Sequence, residues 1–144
     1  MNHYVVDASV AAKWFFEETH TREAVSLLHP RNFLYAPDFF LIEMDNLLCK
    51  RIRRRELNEK ESEAVRTALR VFPVQYYPFS DLMDPAYRIA IKTNRSLYDC
   101  LYIALAILHK NQMVTADRKL YESMAAGPFG IHLQWIGDFP AAKE

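Results

Sequence analysis

Apolar residues along this chain come in two rhythms. Short runs rich in β-branched and aromatic residues stand at Tyr4–Val6, Leu34–Ala36, Val74–Tyr77, Met113–Thr115 and around His132–Trp135, each bounded by polar or turn residues. Runs of that length and content predict strands. Between them the apolar positions recur at helical spacing. The spacing predicts a helix from Asp7 to about Phe16, and a second one capped by Thr19 that buries Ala24, Val25, Leu27 and Leu28. Pro37 suits the first turn of a helix running to about Arg55, and Asn58 suits the cap of another ending near Phe72. Helices over 80–94, 97–110 and Arg118–Met124 complete the pattern.

Short strands separated by one or two helices imply an α/β fold with a mostly parallel central sheet. No repeat, linker or low-complexity tract interrupts it, so the expectation is a single domain over 1–144. In such sheets ligands bind outside the carboxyl ends of the strands. Asp7 and Asp117 stand at or just past two of those ends.

Two further acids are placed as pointedly. Asp99 follows Ser96-Leu97-Tyr98, and Glu43 breaks the apolar stripe Phe39-Phe40-Leu41-Ile42-Glu43-Met44. Each Asp has an ordinary alternative as a helix cap or first-turn acid, and Ser96 to Asp99 fits a capping box with Asp in place of Glu. Glu43 shares a helix face with Phe39, Phe40 and Leu47, which leaves snorkelling as its ordinary alternative. Asn46 adds a polar group near that face, while Asp45 points elsewhere, into solvent. Burying several carboxylates without compensation is prohibitive, and a hard divalent cation is the simplest compensation. Oxygen donors from distant segments, with no His or Cys at ligand spacing, favour Mg²⁺ or Mn²⁺ over Zn²⁺.

Charge and composition narrow the rest. Eighteen basic and eighteen acidic residues cancel, so a nucleic-acid partner needs a local basic patch. Lys50, Arg51, Arg53, Arg54 and Arg55 supply one; it reads either as a solvated helix end or as a phosphate contact beside the acids. The five histidines read as structural or exposed, and Trp14 and Trp135 as core or interface. Tyr98, Tyr102 and the apolar residues through Leu108 read as core. Cys49 and Cys100 read as buried, reduced thiols. No segment has the pattern of a signal peptide or a membrane span, which gives a cytoplasmic expectation.

Read together, Val5-Val6-Asp7-Ala8-Ser9, Ala36-Pro37-Asp38 leading to Glu43 and Asn46, Leu97-Tyr98-Asp99-Cys100-Leu101-Tyr102-Ile103-Ala104, and Val114-Thr115-Ala116-Asp117 resemble the PIN-domain ribonucleases. Within them the pattern is similar to the VapC-like toxins of bacterial toxin–antitoxin pairs. The resemblance implies a three-layer α/β/α sandwich and an endoribonuclease that uses Mg²⁺ or Mn²⁺. It maps the family acids onto Asp7, Glu43, Asp99 and Asp117, with Ser9 and Thr115 as accompanying polar positions. A homodimer held inactive by an antitoxin protein is implied as well. A further acid that some relatives carry after the last motif is replaced here by Arg118-Lys119-Leu120, which leaves the number of metal ions open.

In that reading Asp7, Asp99 and Asp117 hold the cation directly, and Glu43 ligates it, acts on it through water, or orients the attacking water. Arg51, Arg53, Arg54 and Arg55 are the candidate RNA contacts. A phosphoacceptor receiver domain would need adjacent acids after the first strand, and a haloacid-dehalogenase-type phosphatase would need Asp-x-Asp; the chain has Asp7-Ala8-Ser9. The rival that stands is a noncatalytic RNA- or protein-binding module on the same fold.

Overall fold

The computed structural model of the protein describes residues 2–141, so the expected domain limits at 1 and 144 lie outside the described residues. Five strands, β1 (Asn2–Val6), β2 (Asn32–Pro37), β3 (Val74–Tyr77), β4 (Gln112–Thr115) and β5 (Leu133–Trp135), form one sheet in the order β3-β2-β1-β4-β5. Every pairing is parallel. The helices are α1 (Ala8–Ala11), α2 (Thr21–Ser26), α3 (Phe39–Arg53), α4 (Glu59–Val71), α5 (Met83–Thr93), α6 (Leu97–Leu108) and α7 (Arg118–Met124).

The chain starts in the centre of the sheet, moves outward through β2 and β3, then returns to β4 on the other side of β1. The reversal puts the topological switch point between β1 and β4, where the loops leaving the two strands part to opposite faces. α6 spans β1, β2 and β4, and α5 packs on α6. Residues 100–106 of α6 are all buried, as expected of a helix that is apolar around most of its circumference. Flanking helices complete the α/β/α layering that the family resemblance implies. Among the described residues no helix is long and apolar enough to cross a membrane.

Several local expectations change. Pro37 closes β2 instead of opening a helix; its missing N–H is tolerated at a strand end, and Asp38 N continues the pairing to Tyr77 O at 2.8 Å. α2 starts at Thr21, after His20 in a left-handed conformation, so Thr19 caps nothing. Val25 lies on its exposed side. The Asn58 capping box with Glu61 forms as expected. Tyr98 and Leu108 are exposed, because only the middle of α6 is covered by the sheet and α5. Cys49 is exposed too, and only Cys100 is a buried thiol. Asp45, expected in solvent, accepts two bonds from Arg66 at 2.9 and 3.1 Å while staying half exposed.

Candidate active site

Asp7 follows β1 directly and caps α1, accepting from Val10 N at 3.0 Å through Oδ1. The same oxygen accepts from Ser9 Oγ at 2.5 Å, and Oδ2 accepts from Thr115 Oγ1 at 2.7 Å. Thr115 ends β4, and its hydroxyl also accepts from Asp117 N at 3.0 Å; Ser9 Oγ accepts from Ala116 N at 3.1 Å. Two hydroxyls therefore lace the ends of β1 and β4 together around one carboxylate. Asp7 is only 7% exposed. Burial lifts its pKa from the ordinary 3.8 to about 6, opposed by the Ser9, Thr115 and Val10 bonds and assisted by nearby Asp117.

Asp117 caps α7, taking Leu120 N at 3.1 Å on Oδ1. Ser96 caps α6 by accepting from Asp99 N at 3.1 Å. The reciprocal half of the expected capping box is missing: the Asp99 carboxylate takes Arg95 Nη2 at 3.3 Å instead. Asp would need a longer side chain to reach back to the cap N–H, and an Arg one turn earlier is nearer. Both acids are helix caps or first-turn residues, as their ordinary reading has it, and both still face the same crevice electrostatically. The like charge of Asp117 acts on Asp7, and those of Asp7 and Asp99 act on Glu43.

Glu43 comes from α3, and the apolar stripe it interrupts is real: Phe40, Met44 and Leu48 are buried. It does not simply snorkel out. The Tyr102 hydroxyl, from a ring only 2% exposed on α6, donates to Glu43 Oε1. Burial first, then the charges of Asp7 and Asp99, raise Glu43 from 4.5 to about 7, with the Tyr102 bond pulling the other way. Burial beside Glu43 drives the Tyr102 phenol far upward, so it stays a donor. Tyr102 is the site residue that sequence reasoning counted as core; a phenol in an apolar run one turn from Asp99 was the only signal.

The arrangement suits a hard cation by donor chemistry: all four acids offer oxygen, and Asp99 Oδ1, Asp117 Oδ2 and Glu43 Oε2 have no hydrogen-bond partner among the described residues. It is not a closed cage. Among the described residues no three His, Cys, Asp or Glu side chains converge closely enough to hold an ion as they stand. Without a counter-charge the acids are held apart by Arg95, by helix caps and by Tyr102, so ligation needs side-chain rotation.

Asn46 is exposed on α3, beside the crevice. The basic cluster divides. Arg51 gives Nη2 to Glu18 at 2.5 Å, stands 3.8 Å from Glu56 and lies over the Phe16 ring at 3.9 Å. Glu18 also takes the buried Lys13 ammonium at 3.2 Å. This Lys13–Glu18–Arg51 chain was not legible, since it joins residues whose proximity only the fold creates.

A parallel α/β domain with an acid-lined crevice at its switch point is thus the class that fold and site define. The PIN domain family model matches residues 4–124, and the chain belongs to that family. Ribonuclease VapC3 of Pyrobaculum aerophilum is 29% identical over 124 residues, covering 85% of this chain and 95% of that protein. Among solved structures, one from P. aerophilum superposes with a TM-score of 0.68 at 22% identity, covering 94% of this chain and 85% of the other. A toxin–antitoxin complex from Klebsiella pneumoniae gives 0.62 at 16% identity, covering 91% and 95%. At these identities the superpositions speak for the fold.

Proposed function

We propose that this protein is a metal-dependent endoribonuclease, the toxin of a toxin–antitoxin pair. The observation behind the proposal is the pair of upward-shifted carboxylates, buried Asp7 and half-buried Glu43, electrostatically joined to Asp117 and Asp99 at the switch point of a PIN domain. The relationship to a VapC ribonuclease supports the choice of RNA, and the likeness to a toxin–antitoxin complex supports an antitoxin partner.

Asp7, Asp99 and Asp117 would hold Mg²⁺ or Mn²⁺, with Glu43 as a ligand or as the orienter of the attacking water. Such an ion neutralises charge at the phosphate and makes a bound water more acidic. The protein's own part is positional. Ser9 and Thr115 fix both oxygens of Asp7, so the carboxylate enters the crevice in one orientation. Tyr102 fixes Oε1 of Glu43 and leaves Oε2 without a hydrogen-bond partner among the described residues. In the metal-free chain burial and the neighbouring acids raise Glu43 to about 7, so the acid is poised to gain from a cation or to hold a proton near neutrality. The antitoxin would place a cationic side chain among the same acids, and a homodimer is the assembly we expect.

Cleavage of a mixed RNA sample with Mg²⁺, Mn²⁺ or EDTA tests the reading, comparing wild type with Asp7→Asn and Asp99→Asn. Metal-dependent cutting lost in both variants is expected. Absence of both cutting and any Mn²⁺-induced rise in Tm would leave a noncatalytic binding module in its place.

A further inference from the structure

A groove of about 380 Å³ runs along α3, lined by Ser9 and Glu43 of the acidic site at one end and by Asn46, Lys50, Arg51, Arg54 and Glu56 beyond. On a helix, positions 43, 46, 50 and 54 fall on one face, so the groove floor is a single stripe of α3. With a rise of 1.5 Å per residue, Lys50 lies about 10 Å and Arg54 about 16 Å along the axis from Glu43.

The five cations of this segment are not equivalent. Arg51 is committed inside the protein, to Glu18, Glu56 and the Phe16 ring. Arg53 and Arg55 are exposed but lie off the groove, Arg55 beside another depression with Glu61, while Glu56 borders both and stands 3.8 Å from Arg51. Lys50 and Arg54 alone line the groove, are exposed and make no ion pair among the described residues. A helix end that merely favours cations would be served as well by Arg53 and Arg55. It gives no reason for two unpaired charges on the stripe that leads to Glu43.

We propose that Lys50 and Arg54 form a phosphate-binding track that holds the backbone of single-stranded RNA flanking the bond to be cut. The track fixes the strand's course along α3. The inference rests on the ribonuclease reading of the neighbouring acids and deepens it. A phosphodiester chain is favoured over an acidic protein segment because the groove joins free cations to a carboxylate site that suits a metal-bridged phosphate, and one polyanion satisfies both ends. Asn46, between Glu43 and Lys50, offers an amide to sugar or base on the way.

The test is equilibrium binding of a fluorescein-labelled oligouridylate to the full chain in EDTA, where nothing is cut, across a salt series. Each phosphate contact on a single strand contributes about 0.7 to the slope of log K against log salt. Lys50→Ala/Arg54→Ala is expected to lower the slope by about 1.4 and to weaken binding roughly 25-fold at 0.1 M salt. Arg53→Ala/Arg55→Ala, with the same charge removed, is expected to leave the slope unchanged. Equal loss in the two double variants, or loss in neither, overturns the track. So does an oligoglutamate peptide that binds wild type and not Lys50→Ala/Arg54→Ala while oligouridylate binds both alike. Failure of the two readings separates cleanly: RNA cutting with an unmoved slope sinks the track alone, and a moved slope without metal-dependent cutting sinks the nuclease alone.

Discussion

Replacing Asp7 by Asn should make the metal-free protein more stable at alkaline pH, although it alters the capping residue of the buried site. A buried carboxylate whose folded-state pKa is raised binds its proton more tightly folded than unfolded. Stability therefore falls as pH rises between the two values and stays low above the folded one. For Asp7 the window runs from 3.8 to about 6. At 1.36 kcal/mol per pH unit the penalty of keeping it ionised above that window is about 3 kcal/mol. Asn keeps Oδ1 as acceptor for Val10 N and Ser9 Oγ but turns a donor toward Thr115, at a cost of about 1 kcal/mol. The variant should gain about 2 kcal/mol at about pH 8, near 6 °C in Tm for a chain of this size. Near pH 4.5 most of the penalty is already relieved by protonation, and the gain should vanish. Relief of Glu43, which feels the Asp7 charge, adds in the same direction. Thermal melts of wild type and Asp7→Asn in EDTA at the two pH values measure this directly. Adding Mn²⁺ at a hundredfold excess over Kd, worth about 2.7 kcal/mol, should then put wild type ahead. A variant less stable by the same amount at both pH values would refute the electrostatic account and leave Asp7 as a helix cap.

Tyr102→Phe removes the bond that holds Glu43 down, so the Glu43 pKa should rise above about 7. The acid limb of the cleavage–pH profile should move to higher pH, at a stability cost of about 1 kcal/mol; an unmoved limb would show that Glu43 does not handle the proton. Arg51→Ala should lower stability by about 1–3 kcal/mol in urea unfolding, because it strips a charge-assisted bond from Glu18 and the guanidinium from Phe16. Arg51→Lys should recover only part of that, since an ammonium cannot stack on Phe16 and span Glu18 and Glu56 at once.

What the sequence disclosed and what it concealed divide along physical lines. Asp7 and Asp117 were readable because a strand end has a local signature, a β-branched run that stops at an acid. Glu43 was readable because a charge inside a helical apolar stripe is a local contradiction. The strands were readable for the same reason, and the parallel sheet followed from their spacing. Pro37 misled because Pro suits a strand's end and a helix's first turn equally, and only the pairing of β2 with β3 decides. Tyr98 and Leu108 misled because a helix apolar on all sides does not reveal where its cover stops. Tyr102, the Lys13–Glu18–Arg51 chain and the division of the basic cluster were out of reach. Each depends on segments brought together by the crossover from β1 to β2 or by the packing of α6.

The hydrogen bonds around the four acids, of which the Tyr102 bond is the one the sequence concealed, restrain them in the metal-free chain. Left to Coulomb repulsion alone, four carboxylates at one sheet edge would turn into solvent or neutralise one another by taking up protons. Here each has a restraint of different strength. Asp7 has three donors, Asp117 and Asp99 have one helix-cap or Arg partner each, and Glu43 has one phenol. The most restrained acid is also the most buried, and the acids around it keep a free oxygen. A cation entering this crevice would find one fixed ligand and several that can swing. Most of the ordering has then been completed during folding, and only short side-chain rotations remain when the ion arrives. Loosening Asp7 by removing Ser9 or Thr115 should therefore harm metal affinity more than loosening Asp99 by removing Arg95, even though Arg95 is the only one of the three that bears a charge.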